Sequence, residues 1–108
     1  MTVLTIRSHK RYAVRQPVQL RQTGTKVAGG LMIELSSEGC RISNLGRPAF
    51  TVGEPVTVEV GETRLSGKLR WMHDGIAGVR LDVALFTSQL GELIARGRGE
   101  DGDLRYGT

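Results

Sequence analysis

A chain of 108 residues with a hydrophobic fraction of 39% builds one domain with a modest core and leaves no room for a second. Its only cysteine, Cys40, excludes an intrachain disulfide and a cysteine-based zinc cluster, and no apolar run approaches the roughly 20 residues of a bilayer-crossing helix. The net charge of +4 is unevenly spread. The segment before Glu34 carries Arg7, Lys10, Arg11, Arg15, Arg21 and Lys26 without one acid, whereas from Glu34 onward nine bases face eleven acids. Such asymmetry predicts an anionic partner for the first third of a soluble, cytoplasmic protein that does not engage membranes.

In chain order, a basic arm over residues 1–10 is expected to be flexible. Ala13 to Leu20 then reads as a strand: Val14 and Val18 favour a pleated surface, and Pro17 would disrupt a helix interior. Thr23-Gly24-Thr25 reads as a turn, and Val27 to Leu35 as a second run, softened by Gly29-Gly30. Ser36 to Gly39 is a tight polar connection into a short extended piece, Cys40 to Ser43, and Asn44 to Gly53 is a loop containing Gly46 and Pro48. Val56, Val58 and Val60 alternate with polar residues, the period of a half-buried strand, and Gly61-Glu62 fits a two-residue hairpin turn. Leu65, Leu69 and Trp71 continue the alternation, which reads Trp71 as a core or barrel-rim aromatic in preference to a base-stacking platform. Asp74-Gly75 is a strong hairpin signal before Ile76 to Leu81, and Arg70 and Arg80 read as surface charges on either side of it.

After Asp82 the period changes. Phe86, Leu90, Leu93 and Ile94 fall at i, i+4, i+7 and i+8, one apolar stripe on a helix that ends near Gly97 and packs on the strands. The tail over residues 97–108 is glycine-rich, charged and expected to be mobile. Five to seven short strands followed by one helix predict a small antiparallel β-barrel with the helix on an end or side.

Enzyme chemistry finds little support. His9 and His73 belong to no catalytic or metal spacing, Cys40 reads as a small buried residue, the carboxylates are scattered, and there is no P-loop. The expectation is a non-enzyme without metal or cofactor. Two stretches stand out instead. Arg11 and Arg15 are four apart on an extended segment, so they lie about 13 Å from each other. That spacing suits two points on one larger anionic ligand, or two unrelated surface charges. The stretch "IELSSEGCRI", residues 33–42, sets Glu34, Ser36 and Gly39 around a turn. Taken alone it is an ordinary polar loop, with serine hydroxyls bonded to nearby backbone and Gly39 supplying a positive φ.

In combination, Arg11-x-x-x-Arg15 and Glu34-x-Ser36-x-x-Gly39 resemble the paired motif of PilZ domains, RxxxR followed by D/N-x-S-x-x-G. The resemblance extends over roughly residues 8–96 and includes "GVRL", Gly78 to Leu81, which looks like that family's final barrel strand. It implies an all-β fold with a C-terminal helix: a six-stranded antiparallel barrel over residues 11–96. It also implies a non-enzymatic bacterial receptor for cyclic di-GMP, with an arm that closes over the nucleotide and a downstream protein effector. The site it implies is Arg11, Arg15, Glu34, Ser36 and Gly39, with Lys10 and Arg41 at its margin. Nucleic acid is not the expected partner, because Phe and Tyr number only two each and offer few stacking platforms. Glu34 departs from the family's Asp or Asn by one methylene. That departure keeps open an alternative, a PilZ-like barrel that has lost its nucleotide and serves as a protein-interaction module.

Overall fold

The computed structural model describes residues 10–22, 26–46 and 50–98. Strands β1 (Tyr12–Gln22), β2 (Val27–Leu35), β3 (Gly39–Ser43), β4 (Pro55–Val60), β5 (Thr63–His73) and β6 (Ile76–Leu81) precede one helix, α1 (Thr87–Gly97). The arm up to His9, the Thr23–Thr25 turn, Pro48 and the tail beyond Arg98, all read from the sequence above, lie outside the described residues. The strands close into a barrel in the order β1-β2-β3-β6-β5-β4, and every neighbouring pair is antiparallel. The fold is the expected six-stranded barrel with its terminal helix.

Local chemistry explains the elements. Val56, Val58 and Val60 all point into the core, opposite Gly67, Leu65 and Thr63 of β5. The turn between these strands has Gly61 at φ 60, as the first central position of a two-residue hairpin requires. Asp74 and Gly75 both take positive φ, 53 and 78, the conformation for which Asp-Gly is favoured. The loop after β3 plugs one end of the barrel with buried Leu45 and Phe50. The buried Gln22 amide closes that end: its Nε2 donates to the Thr51 carbonyl at 2.9 Å, and its Oε1 accepts from the Thr51 amide at 2.8 Å.

Pro17 is tolerated inside β1 because it precedes the point, Gln19, at which β4 joins that strand. The end of α1 covers the same stretch. Arg98 Nε donates to the Ala13 carbonyl at 3.0 Å, and Gly97 sits on Val14 so closely that a Cβ there would come within 2.9 Å of the valine Cβ. Leu93 is buried, and Leu90 and Ile94 pack against the core beside it.

Two expectations about this region need correction. Phe86 is not part of the packed stripe: helical backbone begins at Thr87, so Phe86 is an extended N-cap residue with 73% of its surface exposed. Gly97 does not open a mobile tail but closes the helix, buried against β1.

Register shifts break the barrel's two-residue rhythm at three places. Val14 and Arg15 oppose Ile33 between β1 and β2, Ile33 is the extra residue between β2 and β3, and Arg70 is the extra residue between β5 and β6. The last shift reverses side-chain parity, because a bulge leaves consecutive residues on one face. Trp71, which the alternation would carry inward with Leu65 and Leu69, is therefore turned outward and 42% exposed.

Candidate functional site

The bulged ends of β2 and β5, with β3 and β6 between them, frame an open groove of about 310 Å³ on the outside of the barrel. That lies at the small end of the range of roughly 300–1,000 Å³ found for ligand pockets. Arg11, Glu34, Ser36, Gly39 and Arg41 line it, together with Arg70, Trp71 and Arg80. The structure thus brings Arg11 of the first motif to the second motif. It does not bring Arg15 or Lys10. Arg15 is exposed on the β1 bulge, outside the groove and without an ion pair among the described residues, and the Lys10 ammonium lies over the Tyr12 ring, 5.6 Å from its centroid.

The turn leading into the groove is built by its own serine. The Ser36 hydroxyl accepts from the Glu38 amide at 3.2 Å and donates to the Gly39 carbonyl at 3.4 Å, while the Ser36 amide donates to that same carbonyl at 2.9 Å. A hydroxyl has two acceptor lone pairs, so one is left. Gly39 is needed here for a reason other than the one the sequence offered. Its φ is not in the left-handed region, where Gly53, Gly61 and Gly75 lie; instead a Cβ at Gly39 would come within 2.5 Å of the Val79 carbonyl oxygen on β6.

Glu34 holds the centre. The bulge at Ile33 sets it directly opposite Arg41, and its Oε1 lies 3.7 Å from Arg41 Nε and 3.9 Å from Arg11 Nη1. These separations exceed hydrogen-bonding distance, so the attraction is Coulombic, between partly exposed groups. Pairs of this kind contribute only about 0–1 kcal/mol. A competing anion can therefore release both arginines at small cost. Arg80 is similarly held, 3.8 Å from Glu38. Four arginines against Glu34 and Glu38 leave the groove cationic.

Trp71, which the sequence reading ranked as a core or rim residue above a stacking platform, lines the groove. It pairs across the strands with Gly78, whose missing side chain lets the indole lie flat on the backbone: a Cβ at Gly78 would collide with the ring. The Arg41 guanidinium faces the ring at 5.9 Å from the centroid. An aromatic face, an arginine plane and a cationic rim together suit a planar, anionic ligand.

Cys40 borders the groove but is buried, and that burial pushes its thiol up to about 12. The thiolate, not the thiol, is the nucleophile. The native protein is thus expected to resist a thiol-titrating disulfide reagent at neutral pH and to react promptly once unfolded; prompt reaction of the native form would refute this placement. Among the described residues no cluster of three or more His, Cys, Asp or Glu is arranged to hold a metal, and no helix is long and apolar enough to cross a membrane.

Comparison with known proteins agrees with this architecture. No curated protein sequence matches the chain. Among solved structures, the barrel is similar to the PilZ domain of CeSA from a cellulose-synthesizing bacterium, with a TM-score of 0.62 and 15% identity over 86% of this chain and 99% of that one. At that identity the likeness concerns the fold alone. The family model for the PilZ domain matches residues 5–96, nearly the whole barrel and helix. By that match, and with the barrel and helix to accompany it, the chain belongs to the PilZ domain family.

Proposed function

We propose that the arginine-rich groove binds cyclic di-GMP and that the protein is a receptor which binds this messenger without transforming it. PilZ domains are a receptor family for that nucleotide. The observation that carries the reading for this chain is that Arg11 and the Glu34–Ser36–Gly39 turn, more than twenty residues apart in sequence, border one cationic groove.

The chemistry matches group by group. Cyclic di-GMP offers two phosphates and two guanines. An arginine fork fits a phosphate, or the O6/N7 edge of guanine, better than an ammonium does. Arg11 and Arg41 exchange their weak contacts with Glu34 for such bonds. The Glu34 carboxylate, so freed, accepts from the N–H groups on guanine's Watson–Crick edge, and Trp71 offers its exposed face to a base. Arg15, about 13 Å along the strand from Arg11, reaches a second part of the same ligand when the root of the arm turns toward the groove. The altered surface is then read by a protein effector.

Calorimetric titration of the folded chain with cyclic di-GMP is expected to show micromolar or tighter binding. Trp71, the only tryptophan, is expected to change its fluorescence over the same concentration range. Arg11→Ala removes charge-assisted bonds of about 1.5–3 kcal/mol, a loss of roughly 10- to 100-fold in affinity. Undetectable binding at low salt by the folded wild type would reject the reading. The second reading, a protein-interaction module without nucleotide, is favoured by one observation: a single carboxylate oxygen attracts both Arg11 and Arg41 and partly neutralises them.

A further inference from the structure

We infer that helix α1 is a strut strung between the two motif segments, and that occupancy of the groove releases its C-terminal end. The inference rests on the nucleotide-binding reading above and adds a route by which binding leaves the site. Ahead of the helix, the end of β6 and the connection into α1 are sewn to the Ser36–Gly39 turn: the amide of Leu81, the last residue of β6, donates to the Glu38 carbonyl and the Leu85 amide to the Ser37 carbonyl, both at 2.8 Å. At its C-terminal end, Arg98 Nε donates to the carbonyl of Ala13, which lies midway between Arg11 and Arg15. The same guanidinium lies 5.9 Å from the centroid of the Tyr12 ring, and Gly97 rests on Val14. The segment that leads into the helix therefore touches the turn of the second motif, and the helix's end touches the first motif.

The two attachments differ in kind. The first is a pair of backbone bonds. The second is the Arg98 side-chain bond and its approach to Tyr12, with buried Gly97 resting on Val14, and it meets β1 at the bulge of Val14 and Arg15, where the ladder is already irregular. Arg15 is exposed and does not line the groove, so a ligand that recruits it must shift the Arg11–Arg15 segment. That shift moves the Ala13 carbonyl and breaks the Arg98 contact, which sits on the moving segment. The helix end is freed while the segment leading into the helix stays tied to the turn. Because linkage is reciprocal, a contact that must break on binding lowers affinity while it is present.

The direction of the Arg98→Ala effect tests this. Loss of one neutral-acceptor bond is expected to tighten cyclic di-GMP binding by about 2- to 10-fold, although the substitution removes a cation. A simple electrostatic role for Arg98 predicts the reverse, weaker binding with a shallower salt dependence. Hydrogen exchange followed by NMR supplies the second readout. On saturation of the wild type, the Arg98 amide, which donates to Ile94 and Ala95, should exchange faster, while the Leu81 and Leu85 amides stay protected. Tighter binding by Arg98→Ala together with faster exchange at Arg98 supports the strut. Unchanged or weaker binding by the variant, or unchanged exchange at Arg98 in a wild type that calorimetry shows to be saturated, overturns it and leaves the binding reading intact. Absence of any binding heat from the folded wild type overturns the binding reading, and the strut with it.

Discussion

Replacing Gly39 with alanine is expected to destabilise the free protein by about 1–3 kcal/mol, the usual cost of forcing a methyl group into a filled space. For a domain of this size that corresponds to a fall in melting temperature on the order of 10 °C. The added methyl meets the Val79 carbonyl, a backbone atom of the β3–β6 ladder in which Gly39 pairs with Arg80. Backbone cannot rotate aside as a long side chain does, so the strands must part. Gly67 is crowded in the same way from the other side of β6, against the Arg80 carbonyl, and Gly67→Ala should lose a similar amount. Gly29, by contrast, has no atom within 4 Å of a would-be Cβ, and Gly29→Ala should be neutral or slightly stabilising because it restricts the unfolded chain. Thermal denaturation of the three variants checks the set. A Gly39→Ala protein that melts with the wild type would show that the glycine of the second motif is not there for the sheet. If it melts early, weakened ligand binding in that variant reports a displaced turn and needs no ligand contact to Gly39.

Much of the barrel was legible because side-chain alternation and turn chemistry are local properties. Val56, Val58 and Val60 declared their face, Gly61-Glu62 and Asp74-Gly75 declared their turns, and Leu90, Leu93 and Ile94 declared the helix. Phe86 was misread because helical spacing alone does not say where the helix begins. Bulges were missed for a different reason: they are properties of a pair of strands, and no single strand announces them. One was nevertheless recoverable. Counting outward from the Asp74-Gly75 turn pairs Met72 with Ala77 and Trp71 with Gly78, and puts the first pair inside. Counting along β5 from Leu65 puts Leu69 inside as well. Leu69 and Met72 are three apart, an odd interval that two inward residues of one strand can have only if an extra residue lies between them. That residue is Arg70, and the same count exposes Trp71. The candidate site was legible to a similar degree. The grouping of Arg11 with Glu34, Ser36 and Gly39 in one groove follows the motif order, and Arg41 joins them because the shift at Ile33 sets it across from Glu34. Arg15 stands apart because the bulge beneath it depends on how β1 meets β2, which no spacing of arginines encodes.

Glu34 decides between the two readings of the groove, and its replacement is expected to have the largest effect on ligand choice. A carboxylate facing guanine accepts from N–H groups that adenine does not present in that pattern. If Glu34 has this role, the wild type should prefer cyclic di-GMP to cyclic di-AMP, and Glu34→Ala should weaken cyclic di-GMP binding by about 10- to 100-fold, the worth of hydrogen bonds to a charged group. Binding of the adenine analogue should change little or improve, since the same substitution relieves Arg11 and Arg41 of a competing negative charge. Glu34→Asp separates reach from charge. It shortens the side chain by one C–C bond and restores the residue type of the family motif, and a change within a few-fold is expected if the bulge at Ile33 already sets the carboxylate at the right depth. Calorimetry of both nucleotides against the three proteins, at one ionic strength because exposed charges are screened by salt, reads all of this. Equal tightening of both nucleotides by Glu34→Ala would leave Glu34 as no more than a counter-charge to the two arginines. A large gain from Glu34→Asp would mark a site that has decayed, and the interaction-module reading would then be the better one.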